Sequence, residues 1–286
     1  MSLLCIADKP GRIQHNRLKA LKKYYEFDIA TLSDKVDVDK YDCVYYSHFS
    51  LYKKMPTKKR KFTSVTSHKC LDDMDDTLSR LSKFDRVSVN NMFLLKAFKP
   101  HIKNLFYTPN GVDTKFFRQL RTQGFHTPKA FGWVGNRDRA TKNYNSIFKP
   151  LGKTIGPKYN FAFIAPSKSD PLSALRNAGH MLGFYNNMDF FLVTSSTEGT
   201  PNPALEALAC CVPIITTRVG NMIEIIKDGE NGFFAEDNTE DFTKVIKKAS
   251  SISEEKYQNM RKRARESIEP WDWKLKKENW AKFLEL

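Results

Sequence analysis

The chain has 286 residues, which at about 150 residues per domain points to two domains. Hydrophobic residues make up 41% and aromatic residues 13%, enough to fill real cores, so a disulfide-stapled mini-protein and wholesale disorder are both excluded. The 47 Lys+Arg against 32 Asp+Glu give a net charge of +15. That charge suits nucleic acid, an anionic membrane surface or phosphorylated substrates, without choosing among them. It is uneven: residues 1–118 hold 23 basic and 13 acidic residues, net +10, and the rest of the chain +5. Five cysteines, Cys5, Cys43, Cys70, Cys210 and Cys211, show no C-x-x-C or metal-ligand spacing, so reduced thiols and a cytoplasmic location are expected. The apolar run at residues 3–7 is too short for a signal peptide and no 18-residue apolar stretch occurs, so any membrane contact is expected to be peripheral.

Short apolar, β-branched or aromatic runs at residues 3–7, 28–32, 43–46, 62–66, 86–89 and 105–108 predict parallel strands separated by helical patterns. Residues 12–25 read as an amphipathic crossover helix, with Leu18, Leu21 and Tyr25 on the core face and Arg17, Lys19, Lys22 and Lys23 opposite. The grammar repeats at 130–134, 161–164, 190–194 and 213–217, so two doubly wound α/β domains are expected. The polar stretch 118–129, with Gly124 and Pro128, matches neither period and is the expected break, giving domains 1–118 and 119–270. Trp271, Trp273 and Trp280 cluster near the end with Phe283 and Leu284, so a C-terminal helix in 271–286 is expected to dock on the first domain.

The most informative stretch follows the strand at 190–194. A Ser/Thr/Gly/Pro loop leads to Asn202 as expected N-cap and Pro203 at the first helical position, so a helix N-terminus faces the carboxyl edge of the sheet as an anion site. Glu198 lies in the loop before it and Glu206 one turn inside, two acceptors that suit sugar hydroxyls. Alone, two glutamates eight apart are most often solvated surface residues. In context, Glu198-Gly-Thr-Pro-Asn-Pro-Ala-Leu-Glu206 resembles the E-x7-E element of GT-B glycosyltransferases of family 4 type. Further matches are Pro109-Asn110-Gly111-Val112-Asp113, Gly183-Phe184-Tyr185-Asn186, and Val219-Gly220-Asn221 through Glu224-Ile225-Ile226 with Asp228-Gly229-Glu230-Asn231-Gly232.

The resemblance implies a GT-B fold of two facing Rossmann-like domains, the acceptor in the first and a nucleotide-diphosphate sugar in the second. It implies a metal-independent, retaining glycosyltransferase, with a UDP-sugar as the first choice of donor and a GDP-sugar as the second. Glu198 would contact the donor sugar and Glu206 the ribose, with Gly199 and Thr200 backbone near sugar and phosphate. Gly135, Asn136, Arg137 and Lys142 resemble the family's V-G-R and K-G pair at the diphosphate. Asn136 stands where the family has Arg and the Lys lies one residue later, so either Arg137 or Arg139 is the guanidinium partner. His68 in Thr66-Ser67-His68 resembles a T-x-H at the cleft edge, and the Asp8–Arg12 loop containing Gly11 is placed to border that cleft or to be a simple turn.

Three look-alikes are set aside. Asp73-Met74-Asp75 spells a D-x-D but lies in an acidic run suited to a helix start; Gly152-Lys153-Thr154 lacks the first P-loop glycine; no G-x-G-x-x-G occurs. Lys53, Lys54, Lys58, Lys59, Arg60 and Lys61 put six charges in nine residues, preceded by Tyr45, Tyr46, Phe49 and Tyr52 as possible stacking surfaces. The run reads either as a solvated loop or as the contact to an anionic acceptor. The leading acceptor is then a hydroxylated base in DNA, against a saccharide, lipid or protein at an anionic membrane. A non-catalytic nucleotide- or nucleic-acid-binding module on the same fold is the reading of another class.

Overall fold

The computed structural model describes residues 1–120, 122, 124–165 and 178–286. Two compact units result, Met1–Gly111 with Trp273–Leu286, and Val112–Asp272.

The first unit is a six-stranded parallel sheet in the order β2-β1-β3-β4-β5-β6, built from β1 Leu3–Ala7, β2 Asp28–Thr31, β3 Cys43–Tyr46, β4 Arg60–Val65, β5 Arg86–Val89 and β6 Leu105–Tyr107. Helices α1 Ile13–Lys22, α2 Met74–Leu81 and α3 Met92–Phe98 are its crossovers. Alternation divides β1 between two cores: Leu3, Cys5 and Ala7 face one cluster, Leu4 and Ile6 the other. Burial on both faces explains why β1 and β3 are continuous apolar runs rather than alternating ones. Asp73 caps α2 by accepting the Asp76 N–H at 3.0 Å, so the D-x-D stretch is a helix start.

Arg17 departs from its expected exposed place. It is 4% exposed, donates to the Tyr45 hydroxyl at 2.8 Å and lies 4.6 Å from the Trp280 ring centroid. Trp280 belongs to the last helix of the chain, Trp273–Leu284, which contributes Trp280, Phe283 and Leu284 to the core with Leu18, Tyr45 and Phe62. That helix covers Arg17, while Lys19, Lys22 and Lys23 stay exposed as periodicity assigned them.

The second unit is a five-stranded parallel sheet, order β11-β10-β9-β7-β8, from β7 Ala130–Val134, β8 Asn160–Ile164, β9 Phe190–Val193, β10 Ile214–Thr216 and β11 Gly232–Phe234. In chain order its helices are α4 Lys149–Ile155, α5 Ala178–Asn186, α6 Asn202–Ala209, α7 Met222–Ile225, α8 Thr239–Ser250 and α9 Glu254–Ile268; the C-terminal Trp273–Leu284 is α10. Strand β11 has no counterpart in the sequence reading. It is three residues long and opens on Gly232, where a Cβ would stand 2.4 Å from the Ile214 carbonyl oxygen.

The division between units lies at Gly111/Val112 and Asp272/Trp273, not in 118–129 as polarity suggested. The Val112 N–H donates to the Trp271 carbonyl at 3.0 Å and the Thr114 N–H to the Asp272 carboxylate at 3.1 Å, so the second unit begins before the polar stretch. Arg121 and Gln123 of that stretch lie outside the described residues. All five cysteines are buried free thiols. Among the described residues no helix is long and apolar enough to cross a membrane.

Candidate functional site

In the second sheet β7 is followed outward by β8 on one side and by β9 on the other, so the topological switch point lies between β7 and β9. Ligands of open α/β sheets bind outside the carboxyl ends of the strands at such a point. The loops leaving these two strands are laced together there. Thr194 accepts the Trp133 indole N–H at 3.0 Å and donates to the Lys142 carbonyl at 2.8 Å, and the Ser196 N–H donates to the Thr141 carbonyl at 2.9 Å. Asn143, left-handed at φ 52°, donates its amide to the Thr194 carbonyl at 2.9 Å.

This lacing sets Lys142 against Glu198. The ammonium is ion-paired with Glu198 Oε1, the side chains being 13% and 9% exposed, and Glu198 also accepts the Ser195 hydroxyl at 2.8 Å. Gly135 lies under the lysine, where a Cβ would be 3.3 Å from Lys142 Cδ and 2.7 Å from the Trp133 ring. Gly199 is packed by Gly220, itself at φ +49°, whose Cβ would come within 2.3 Å of the Gly199 carbonyl oxygen. The Thr200 hydroxyl donates to Asn221, which donates to Glu224 at 3.0 Å. Helix α6 then starts at Asn202 with Pro201 as the cap, one residue earlier than expected, because the Asn202 N–H turns back to the Thr200 carbonyl at 3.0 Å.

Glu206 lies half-buried one turn into α6 and accepts the Tyr185 hydroxyl of α5 at 2.6 Å. Burial pushes its carboxyl up to about 7, partly offset by that hydrogen bond, so near neutral pH it is poised between a donor and an acceptor form. The raised value means the folded chain binds this proton more tightly than the unfolded one. Its contribution to stability is therefore full below about pH 4.5 and is lost as pH rises through 7, by up to about 3 kcal/mol. Replacing Glu206 by Gln is expected to flatten that part of the pH–stability curve, leaving the variant more stable than the parent at pH 8; parallel curves from denaturant titrations would refute it.

Among known proteins, the sequence profile of the glycosyl transferases group 1 matches residues 176–267. Residues 176–267 are a glycosyl transferases group 1 domain. The group 1 domain contains Glu198, Gly199, Thr200 and Glu206 together with Tyr185, Gly220 and Glu224. The chain is 42% identical over 82 residues to N-acetyl-alpha-D-glucosaminyl L-malate synthase of Bacillus anthracis, covering 28% of this chain and 21% of that protein. It is 35% identical over 78 residues to the capsular polysaccharide biosynthesis glycosyltransferase CapM of Staphylococcus aureus, covering 27% and 20%. The matches thus span about a fifth of these relatives' length. Anabaena HepE, solved in complex with UDP-glucose, superposes with a TM-score of 0.77 over 100% of this chain and 99% of its own, at 13% identity. That likeness shows the fold, two parallel-sheet Rossmann-like units as in GT-B glycosyltransferase structures.

Lys142, Gly135, Asn136 and Arg137 precede the group 1 domain in sequence; of them Lys142 meets it at the switch point through Glu198, with Gly135 packed under the lysine. Asn136 accepts the Asp138 N–H at 2.8 Å; Arg137 is half-buried and Arg139 exposed. In the first unit, His68 and Gly11 both follow strand carboxyl ends. His68 opens a 3₁₀ turn capped by Ser67, with its ring 4.7 Å from the Phe93 ring and its Nε2 3.4 Å from the Asn91 amide. Gly11 has φ +73° in the turn entering α1 and its N–H donates to His15 Nδ1 at 3.1 Å.

The basic run, expected as the acceptor contact, lies at the opposite end of its strand from His68. Arg60 and Lys61 begin β4, and Lys58 and Lys59 precede it, so these four occupy the amino edge of the first sheet. His68 lies beyond the other end of the same six-residue strand, which is itself about 17 Å long at 3.3 Å per residue. Lys53 and Lys54 lie on the 3₁₀ return from β3 toward that amino edge. Arg60 is held by both oxygens of Glu285 at 2.7 and 2.8 Å. The aromatic residues do not form a stacking platform either: Tyr45, Tyr46 and Phe49 are buried, Tyr45 bonded to Ser64 at 2.7 Å, and Tyr52 packs edge-on against Tyr46. Burial on both faces of the parallel sheet places Tyr45 and Tyr46 inside.

Sequence reasoning missed Ser195, Thr194, Asn143 and Tyr185. The tyrosine stood in a quoted motif, and only the α5–α6 packing reveals its bond to Glu206.

Proposed function

We propose that this chain transfers a glycosyl group from a nucleotide-diphosphate sugar to an acceptor hydroxyl, with retention of anomeric configuration and without a metal ion. The observation that carries the reading is the Lys142–Glu198 ion pair at the switch point beside α6. A donor that enters there offers hydroxyls to Glu198 and diphosphate oxygens to Lys142, with Arg137 as a second cation, and separates the pair while satisfying both partners. Fixed positive groups aimed at the charge that develops on the departing diphosphate lower the barrier without reorganising at the moment of reaction. The group 1 domain supports the reaction class, and its relatives, by their names, include an N-acetyl-alpha-D-glucosaminyl L-malate synthase. HepE, solved with UDP-glucose, supports a UDP-sugar as donor ahead of a GDP-sugar. Glu206 takes the ribose, His68 and Gly11 belong to the acceptor side, and Gly135, Asn136, Gly199 and Thr200 let backbone approach the donor.

A hydroxymethylated base in DNA as acceptor is now supported by the net charge alone, since Lys58, Lys59, Arg60 and Lys61 lie at the edge opposite His68. A saccharide or other small hydroxyl acceptor is the better-supported class, because it needs no extended basic surface beside the site.

The two glutamates have separable roles. Losing a hydrogen bond to a charged group costs about 1.5 to 3 kcal/mol, or about 10- to 150-fold in affinity. Glu206→Gln is expected to weaken free UDP binding by that factor while Glu198→Gln leaves it nearly unchanged and instead weakens the nucleotide sugar. Calorimetry in excess chelator measures both; equal UDP affinity in both variants and the parent contradicts the assignment, and a strict need for added manganese contradicts metal independence.

A further inference from the structure

Three loops enter neighbouring parallel strands at the amino edge of the first sheet: residues 55–59 before β4, 82–85 before β5 and 99–104 before β6. They bring Lys58, Lys59, Lys83, Lys99 and Lys103 to one edge, all exposed and none in an ion pair among the described residues. Acidic groups at that edge do not balance them: Glu285 holds Arg60 and Arg86, while Asp85 and Asp42 accept the backbone N–H groups of Lys61 and Ser2 at 2.7 Å and keep their charge, two carboxylates against five lysines. Between the C-terminal end of α2 and the loop after α3 lies a cavity of about 440 Å³, floored by Leu78, Leu81, Phe84, Val87 and Ile102, with Asp85, His101 and Lys103 among its polar lining.

We propose that this amino edge docks on a bilayer surface of anionic phospholipid, the lysines meeting the phosphate headgroups and the apolar cavity receiving part of a lipid chain. The pairing of a net cationic rim with a mainly apolar cavity matches an amphiphile with an anionic head. Single-stranded nucleic acid is disfavoured because the aromatic rings near the run are buried or packed on one another, so no stacking surface accompanies the lysines among the described residues, and a duplex, which needs only phosphate contacts, would leave the cavity unfilled. The site lies at the opposite end of the strands from His68, so docking here leaves the carboxyl edge of this unit uncovered.

The test is sedimentation of the full chain with vesicles of phosphatidylglycerol mixed into phosphatidylcholine, and with phosphatidylcholine alone. The parent is expected to bind the mixed vesicles and not the neutral ones, more weakly as salt rises, since surface attraction is screened within a Debye length. Replacing Lys58, Lys59 and Lys103 together by serine is expected to lower vesicle affinity about 100-fold, from about fivefold per lysine near an anionic surface. UDP affinity is measured alongside; its retention reports an intact second unit independently of the vesicle result. Equal binding to neutral vesicles, an unchanged affinity in the triple variant, or tighter binding of the parent to duplex DNA than to the mixed vesicles each overturns the proposal.

Discussion

Replacing Lys142 with alanine is expected to destabilise the second unit by about 3 to 5 kcal/mol and to abolish sugar transfer. Glu198 is 9% exposed and its main partner is that ammonium, so the variant leaves a carboxylate in a poorly solvated place with, among the described residues, the Ser195 hydroxyl to satisfy it. Removing both charges separates the two effects. The double variant Lys142→Met with Glu198→Gln should recover most of the stability, because neither charge then needs water, and yet stay inactive, with turnover down by at least about 100-fold for want of the cation at the diphosphate. Denaturant titration beside a turnover assay reads both. A Lys142→Ala chain as stable as the parent would mean that the pair is solvated, and an active double variant would remove both side chains from the chemistry.

Gly220→Ala is the second large effect, expected at about 2 to 5 kcal/mol. Two costs add at this position: a left-handed φ of +49°, unfavourable for a residue with a Cβ, and a collision at 2.3 Å with the Gly199 carbonyl, a backbone atom that cannot swing aside as a side chain can. Relief of the clash must move the loop that carries Glu198, so donor affinity should fall along with stability. Gly229→Ala is the matched control. It shares the positive φ, at +77°, but a Cβ there meets nothing within 4 Å, so it should cost about 1 kcal/mol and leave nucleotide binding unchanged. Similar losses in the two variants would show that backbone conformation, not the Gly199 contact, governs the position.

The parallel strands were readable because burial on both faces makes each one a short unbroken apolar run between polar loops, as in 3–7 and 43–46. The loop holding Glu198 was readable too, since a strand followed by Ser, Thr, Gly and Pro before a helix puts its side chains at the carboxyl edge. What escaped was whatever depends on a partner far along the chain. Arg17 is 4% exposed only because Trp280 and Tyr45 cover it, from positions 263 and 28 residues later. The basic run has an unmistakable composition, but nothing in it says at which end of a strand it lies, and Arg60 is neutralised by Glu285, 225 residues away. The division at Gly111 likewise rests on hydrogen bonds between Val112 or Thr114 and residues 271–272, while the more polar stretch after it packs within the second unit: the Asn186 side chain accepts the Leu120 N–H at 2.6 Å.

The central claim is that the switch point of the second unit holds a nucleotide sugar and cleaves it, and product analysis addresses that most directly. The chain would be incubated in chelator with UDP-glucose, UDP-N-acetylglucosamine and GDP-mannose in turn, each with a panel of saccharide and hydroxymethylated-DNA acceptors, and the free nucleotide quantified by chromatography. The account predicts release of UDP from at least one UDP-sugar, stoichiometric with a glycosylated product of retained anomeric configuration, and none from Lys142→Met with Glu198→Gln. Tight binding of UDP by a correctly folded chain that releases none from any of these donors, with or without acceptor, would contradict it and make the chain a nucleotide-binding module on a glycosyltransferase fold.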